Sequence, residues 1–373
     1  MIIYTPQLEK IGEIDNYESL TFERSWSDIG KFELHVPNTA QYATSLFDDM
    51  FILIDEKRVG IIINYSINEN DIRIVKGFQL KQILGNRIIT PPSNTTHDRR
   101  YADAETVMKH YVDRHIMYPA NSERIIPNFV MKANQKRGPV LQWESRLKNL
   151  AEEQKNISLA SNLGWDVWLD EEARHFVFEV FDGKNLTRNQ STYPPIVFSV
   201  ELDNVLKREF EKDATNFKNT AYVGGQGEGD DRRIVEVSAE SATGLARKEV
   251  FIDARDLSNQ KEDKTDKPEA EIVKMLTERG KQKLESDYAK VVSFSCFVVE
   301  KPGMEYEKDW SIGDIVTCED DKNGILMDAR VTDVEETYQN NERKLKVTFG
   351  TKRMDITRLL QRELAQVKNI IRN

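Results

Sequence analysis

Alternating apolar and polar positions over roughly the first 90 residues predict an antiparallel β meander. Phe32, Leu34 and Val36 fall on one face of a strand, Glu33 and His35 fall on the other, and Pro37 ends it. An apolar run from Phe51 to Ile54 meets a polar turn, Asp55-Glu56-Lys57-Arg58, and returns as Val59 to Ile63. Asn68-Glu69-Asn70-Asp71 marks the next turn before Ile72-Arg73-Ile74-Val75. Strands joined by short polar turns close into a barrel or stack as a sandwich.

The breaker cluster Pro91-Pro92-Ser93-Asn94-Thr95-Thr96 is the natural place for a boundary or an exposed loop. Beyond it the period becomes helical: Val107, Met108, Tyr111, Val112 and His115 share a face, and Asp103 is placed to cap the start. A second helical pattern carries Trp143, Leu147, Leu150 and Ala151 and is expected to stop near Gly164. Trp165 to Leu169 and His175 to Phe181 then read as a hairpin, so 91–203 is an α+β block.

Strand patterns return from about residue 204. Tyr222-Val223 runs into a glycine-rich stretch with Gly224, Gly225, Gly227 and Gly229, followed by a strand at Ile234 to Val237. Ser258 to Pro268 reads as a charged, exposed loop. A helix over about 269–287 presents Ile272, Leu276 and Leu284, and strands follow at Val291 to Val299, Gly313 to Thr317 and Leu345 to Phe349. The segment 355–373 predicts a final helix with Leu360, Leu364, Val367 and Ile371 spaced four, three and four apart. That spacing suits a short coiled-coil seam, here a candidate subunit contact, and equally an amphipathic helix lying on its own domain. The expected fold is α+β and β-rich. Two β domains, 1–90 and 204–354, flank the α+β block, without a convincing repeat between them.

The length of 373 residues fits several domains, and 39% hydrophobic with 31% charged residues describes a globular chain with a well-solvated surface. A formal net charge of -10 opposes the large phosphate-neutralising surface that duplex binding needs. Two cysteines, Cys296 and Cys318, make no disulfide framework and fit synthesis in a reducing cytoplasm. The start, Met1 to Pro6, lacks the pattern of a signal peptide, and no apolar run approaches the ~20 residues that span a bilayer, so a soluble product is expected.

Candidate chemistry mostly fails on inspection. The glycine-rich stretch has Glu228, Asp230 and Asp231 where a phosphate cradle requires Lys followed by Ser or Thr, and Asp230 stands where a dinucleotide fingerprint needs its third glycine. A structural turn or exposed loop, with a role at an interface, is the better reading. His110 and His115 are five apart, which on a regular helix turns them about 140° from each other. His35, His97 and His175 show no ligand spacing, and neither do the cysteines. Glu319, Asp321, Asn323 and Gly324 resemble half of a calcium loop, but Arg330 occupies the bidentate position, so a hairpin turn is expected. No nucleophile elbow is present. Neither a metal nor a cofactor is expected. Trp143, Trp165 and Trp168 could stack on a carbohydrate, but their spacing favours core packing.

The stretches Asn219 to Gly229 and Ala242 to Leu257 resemble the siphophage tail-hub family. Gly30-Lys31-Phe32-Glu33-Leu34, Asp309-Trp310-Ser311-Ile312-Gly313-Asp314-Ile315-Val316 and Thr348-Phe349-Gly350 are similar to it as well, in order along the chain. The resemblance implies a baseplate hub with two β-barrel domains per subunit. Three subunits would form a ring around the DNA exit channel, joining the tail tube, the distal tail protein and the end of the tape-measure protein to tip or receptor-binding proteins. An acidic lining would keep DNA from sticking, although general solvation accounts for the acidity equally well. Longer relatives carry a cell-wall hydrolase or receptor-binding module. The sequence given stops after one short helix, so the expectation is a virion structural protein and not an enzyme. A receptor- or carbohydrate-binding module, or a hydrolase accessory, is the alternative.

Overall fold

Strands from both ends of the chain share one thirteen-strand sheet in a computed structural model, which describes residues 1–261 and 265–350. The final helix expected over 355–373, with Leu360, Leu364, Val367 and Ile371, lies outside the described residues. The sheet runs Val205–Asp213, Val291–Val298, Glu342–Gly350, Ile325–Gln339, Ser19–Ser25, Lys31–Pro37, Ile72–Gln79, Arg58–Ile67, Phe51–Asp55, Ile2–Tyr4 and Lys10–Glu13. Val197–Ser199 and Ile315–Asp320 join it beside the first half of Ile325–Gln339.

Ile325–Gln339 is the hinge of this arrangement because it changes neighbours along its length. Its first half pairs with Ile315–Asp320, and its second half with Ser19–Ser25, from Asp333 opposite Ser25 to Gln339 opposite Ser19. That seam joins two β units, each wrapped around its own apolar cluster. Leu20, Phe22, Phe32, Leu34, Ile52 and Ile62 fill the first. Phe198, Phe294, Val331, Val347 and Phe349 fill the second. Strand burial alternates as the sequence pattern requires, for example in Lys31–Pro37, where Phe32, Leu34 and Val36 are buried. The architecture is β-rich with few helices, and among the described residues the pairing path is open at both ends.

Two insertions interrupt the sheet. Between Gln79 and Val197 lies the α+β block, with α1 (Ala104–Val112) and α2 (Leu150–Ser161) packed over the hairpin Gly164–Asp170 and His175–Phe181. Asp103 caps α1 by accepting from the Thr106 N–H at 2.9 Å. α2 begins later than its sequence pattern suggests. Trp143 belongs to the strand Val140–Ser145, Leu147 has φ 54°, and Asn149 caps the helix by accepting from Ala151 and Glu152. The apolar residues matched a helical period by coincidence, and the Asn149 cap decides the start. α2 stops at Asn162 in the left-handed region, not at Gly164.

The second insertion separates Val205–Asp213 from Val291–Val298, which pair directly, with Asp213 opposite Val291. Within it, α3 (Glu269–Ser286) covers a three-strand sheet of Thr220–Gly224, Ile234–Ser238 and Glu249–Asp253. The segment expected as an exposed loop from Ser258 is anchored at its ends, since Ser258 and Lys267 are buried. The Ser258 N–H donates to Glu144 in the α+β block, and Lys267 Nζ lies 3.9 Å from the same carboxylate. The run is thus tied at both ends to a carboxylate that Arg99 also holds at 2.7 Å.

Trp26 locks the units together. It follows the seam strand, is 3% exposed, and packs edge-on to Phe181 with the Arg330 guanidinium over its ring at 4.8 Å. Gly313, at φ +91°, gives it room: a Cβ there would lie 1.9 Å from the indole. Trp26→Ala is expected to cost about 3–5 kcal/mol in urea denaturation, the range for emptying a large aromatic site. Gly313→Ala should cost about 1–3 kcal/mol through overpacking and strain. The double variant should lose less than the sum of the two, because the shortened side chain vacates the space. Strict additivity would show that the two residues do not share this contact.

Candidate functional site

Charged side chains converge where the two β units meet the α+β block. Arg24 leaves the seam strand Ser19–Ser25, Arg58 opens the strand Arg58–Ile67, and both are buried. Arg24 donates to Glu307 at 2.8 Å and to Asp166 at 3.3 Å, and Arg58 donates to the other Glu307 oxygen at 2.7 Å. Arg58 also bonds Asp55 and Glu336. Glu336 in turn accepts from Tyr338 at 2.7 Å and from Arg343 at 2.8 Å. Burial opposes the charge on Arg24, but Tyr306, Asp166 and Glu307 outweigh it and raise its pKa. The same balance holds for Arg58, where Glu336, Asp55 and Glu307 overcome burial.

Lys81 sits close by with no exposed surface, donating to the carbonyls of Ser25 at 2.6 Å and Trp165 at 3.1 Å. Burial pulls its pKa down to about 8, against the pull of Asp166 and Asp28. A polar cleft of about 210 Å³ opens over this network, lined by Trp168, Glu179, Asp182, Lys184, Glu307 and Asp309 among others. Arg24, Asp166 and Glu307 on its floor are bound up in internal pairs.

A second cluster corrects the sequence reading of the histidines. α1 ends at Val112 and continues as a π turn over Asp113–Met117, a wider coil that swings His115 back above His110. Both imidazoles reach one carboxylate: His110 lies 2.7 Å from Asp98 Oδ1 and His115 3.2 Å from Asp98 Oδ2. Burial works against the charge of Asp98, yet the two histidines bring its pKa down to about 2. Asp98 is thereby held on both oxygens, while His115 Nδ1, on the far side of its ring, is buried without a hydrogen-bond partner. Cys296 and Cys318 are buried free thiols, and burial alone pushes Cys296 up to about 12.

The glycines divide into two pairs. Gly224 and Gly225 are buried in the turn out of Thr220–Gly224, while Gly227 and Gly229 are exposed at its tip with φ +107° and +53°. The turn is closed on itself. Gly225 N–H donates to the Arg233 carbonyl at 2.9 Å, and Arg232 donates to the carbonyls of Gly225 and Gly224 at 3.0 and 3.2 Å. Arg232 also pairs with Asp253 at 2.8 Å. Asp321–Asn323 with Gly324 forms the hairpin turn expected of it. Of the three tryptophans, Trp165 is core, Trp143 donates to Glu153, and Trp168, half-buried, donates to Glu179 under Lys132. The buried arginine network carried no sequence signal beyond isolated charges in strand patterns, since its members are spread from Arg24 to Arg343.

A family described as "Siphovirus ReqiPepy6 Gp37-like protein" matches residues 1–351. Among solved structures, the 43 kDa tail protein of prophage MuSo2 from Shewanella oneidensis is similar at TM-score 0.56 and 10% identity, over 93% of this chain and 97% of that one. Prophage tail protein gp18 from Listeria monocytogenes EGD-e is similar at TM-score 0.52 and 11% identity, over 100% and 99%. A tail protein from Neisseria meningitidis MC58 gives 0.53 and 12%, over 94% and 96%. At such identities the likeness is one of fold. No curated protein matches the chain.

Two measurements test the roles given to these clusters. Glu336→Ala leaves Arg58 and Arg343 facing an empty site and is expected to cost about 3–5 kcal/mol of unfolding free energy. A loss below about 1 kcal/mol would remove Glu336 from the network's core. Asp98 has a depressed folded pKa, so its stabilisation is present above its unfolded value near 4 and disappears as pH falls toward about 2. Denaturation across that window should show about 2 kcal/mol of acid sensitivity that Asp98→Asn abolishes. An identical acid limb in the variant would contradict the assignment.

Proposed function

The chain belongs to the siphovirus ReqiPepy6 Gp37-like family, and from that premise we propose that it is a structural hub of the tail tip. In this reading three copies form a ring, each giving two barrel-like units, so that six similar units surround a central channel. The ring joins the tube and distal tail protein on one side to tip proteins on the other, with DNA passing through without specific binding.

The observation that carries the reading is the shared sheet. Two β units with separate cores are fused through the pairing of Ser19–Ser25 with Asp333–Gln339 and buttressed by Arg24, Arg58 and Trp26. A rigid two-unit subunit is what a threefold ring with sixfold pseudo-symmetry needs, because a flexible joint would let neighbouring units drift out of register. A structural role, and not catalysis, is supported by how the buried ionisable groups are used. Asp98 is held by two histidines, Glu336 by two arginines and a tyrosine, and Lys81 by two carbonyls.

The test is the particle itself. Purified protein, alone and mixed with its distal tail partner, is expected to give a three-copy mass and rings with a central hole in negative stain. The same preparation should leave peptidoglycan uncleared in a gel overlay. A chain that stays monomeric in both samples, or one that clears peptidoglycan, would refute this assignment.

A further inference from the structure

The strand Arg58–Ile67 outruns the neighbour that covers its first half. Phe51–Asp55 pairs with it only from Arg58 to Ile61, and the ladder then ends at Ile62, which exchanges hydrogen bonds with Asp49 and Met50. Beyond that point Asn64–Ile67 remain paired with Arg73–Lys76 on one side, and no strand lies on the other among the described residues. Burial changes at the same place. Arg58 to Ile62 are buried, whereas every residue from Ile63 to Ile67 is exposed, with Ile63, Tyr65 and Ile67 at 49%, 44% and 48%.

Sheet edges left open in this way usually carry protection: charges, a proline, or a bulge. The outer strand Val205–Asp213 has such protection, with a register shift between Leu206 and Glu209, Lys207 at φ 47°, and the charges of Lys207, Arg208 and Glu209. Ile63-Asn64-Tyr65-Ser66-Ile67 has neither charge nor proline. Its one irregularity, between Ile62 and Asn64, falls where the covering strand gives out.

We propose that this edge takes up an extended segment of another protein, apolar at its centre and basic at both ends, as an added strand. Main-chain bonds would supply affinity, while Ile63, Tyr65, Ile67 and the exposed Phe47 would supply apolar contact. The ends are specified by charge. Asp48 and Asp49 are exposed beside the Ile62 end, and Glu69 and Asp71 are exposed in the turn past Ile67. The cations of the arm are engaged internally: Arg73 lies over the Tyr65 ring and bonds Asn38 and Leu46, and Lys76 pairs with Glu33. A second copy is a poor occupant, since antiparallel pairing about Tyr65 would set Asp48 and Asp49 of one chain against Glu69 and Asp71 of the other. The proposal rests on the hub reading only in expecting the donor to be another tail protein.

A labelled peptide, Lys-Lys-Val-Thr-Val-Thr-Val-Lys-Lys, and its counterpart with glutamates at the four end positions distinguish the outcomes on the full chain. The lysine peptide should bind about ten-fold or more tighter, from four weak charge pairs, and slow amide exchange at residues 63–67. Asp48→Lys combined with Glu69→Lys, both on exposed positions, should erase or reverse the preference. Absence of binding, equal binding of both peptides, or protection elsewhere would overturn the proposal. So would a double-mass species whose arm is protected without peptide. A chain that binds the lysine peptide at the arm yet stays monomeric both alone and with its distal tail partner would sink the hub reading and leave this one standing.

Discussion

Two buried arginines set the condition under which the halves of this protein fit together. Arg24 and Arg58 sit in the first β unit, but the carboxylates they need are supplied largely from elsewhere: Asp166 from the α+β block, Glu307 and Glu336 from the second β unit. Bringing a guanidinium out of water costs several kcal/mol unless its partners arrive with good geometry. The first unit can therefore bury these residues only when the other two are in place. Such a network adds little net stability over a well-packed apolar seam, yet it accepts few alternative dockings. Lys81 imposes the same condition, because it donates to backbone carbonyls on either side of the junction, those of Ser25 and Trp165.

The topology explains why this junction needs a specific lock. Strands distant in sequence form the seam, so the pairing of Ser19–Ser25 with Asp333–Gln339 closes a loop of some three hundred residues. Closure of that size costs conformational entropy, offset only when several contacts form at once. Trp26 supplies apolar area, the arginines supply orientation, and Gly164 and Gly313 supply the space, a Cβ on either one meeting the indole within 2.4 Å. The insertions add no comparable burden, since Asp213 and Val291, which bracket the second, lie opposite each other.

Local order was readable in the sequence where period and punctuation agreed. Lys31–Pro37, the hairpin after Gly164, α1 with its Asp103 cap, and α3 all stand close to where their patterns put them. Reading failed where a local pattern had two solutions. Trp143 and Leu147 matched a helical period, but only the Asn149 side chain satisfies the first free N–H groups of α2. The histidine pair was misjudged because a regular 3.6-residue turn was assumed, and the π turn after Val112 has no sequence mark. The arginine network was illegible for a different reason. Charges in half-buried strands look like solvated faces until long-range pairing shows which carboxylates stand opposite them.

Polar satisfaction also separates the parts of the molecule that maintain shape from those that meet other molecules. Inside, the buried arginines of the junction meet opposite charges, as the cost of leaving a buried charge alone requires, although Arg24 Nε and His115 Nδ1 make no hydrogen bond. The glycine turn closes on its own carbonyls, although its spacing invited a phosphate reading. At the arm the balance is reversed. A main-chain edge without a described neighbour coincides with three exposed apolar side chains and with acidic groups at both ends. Isolated exposed apolar residues are ordinary on protein surfaces; three of them on one open, uncharged strand are a liability unless assembly covers it. The interior is thus stiffened by long-range ion pairs, while the arm keeps one edge open among the described residues.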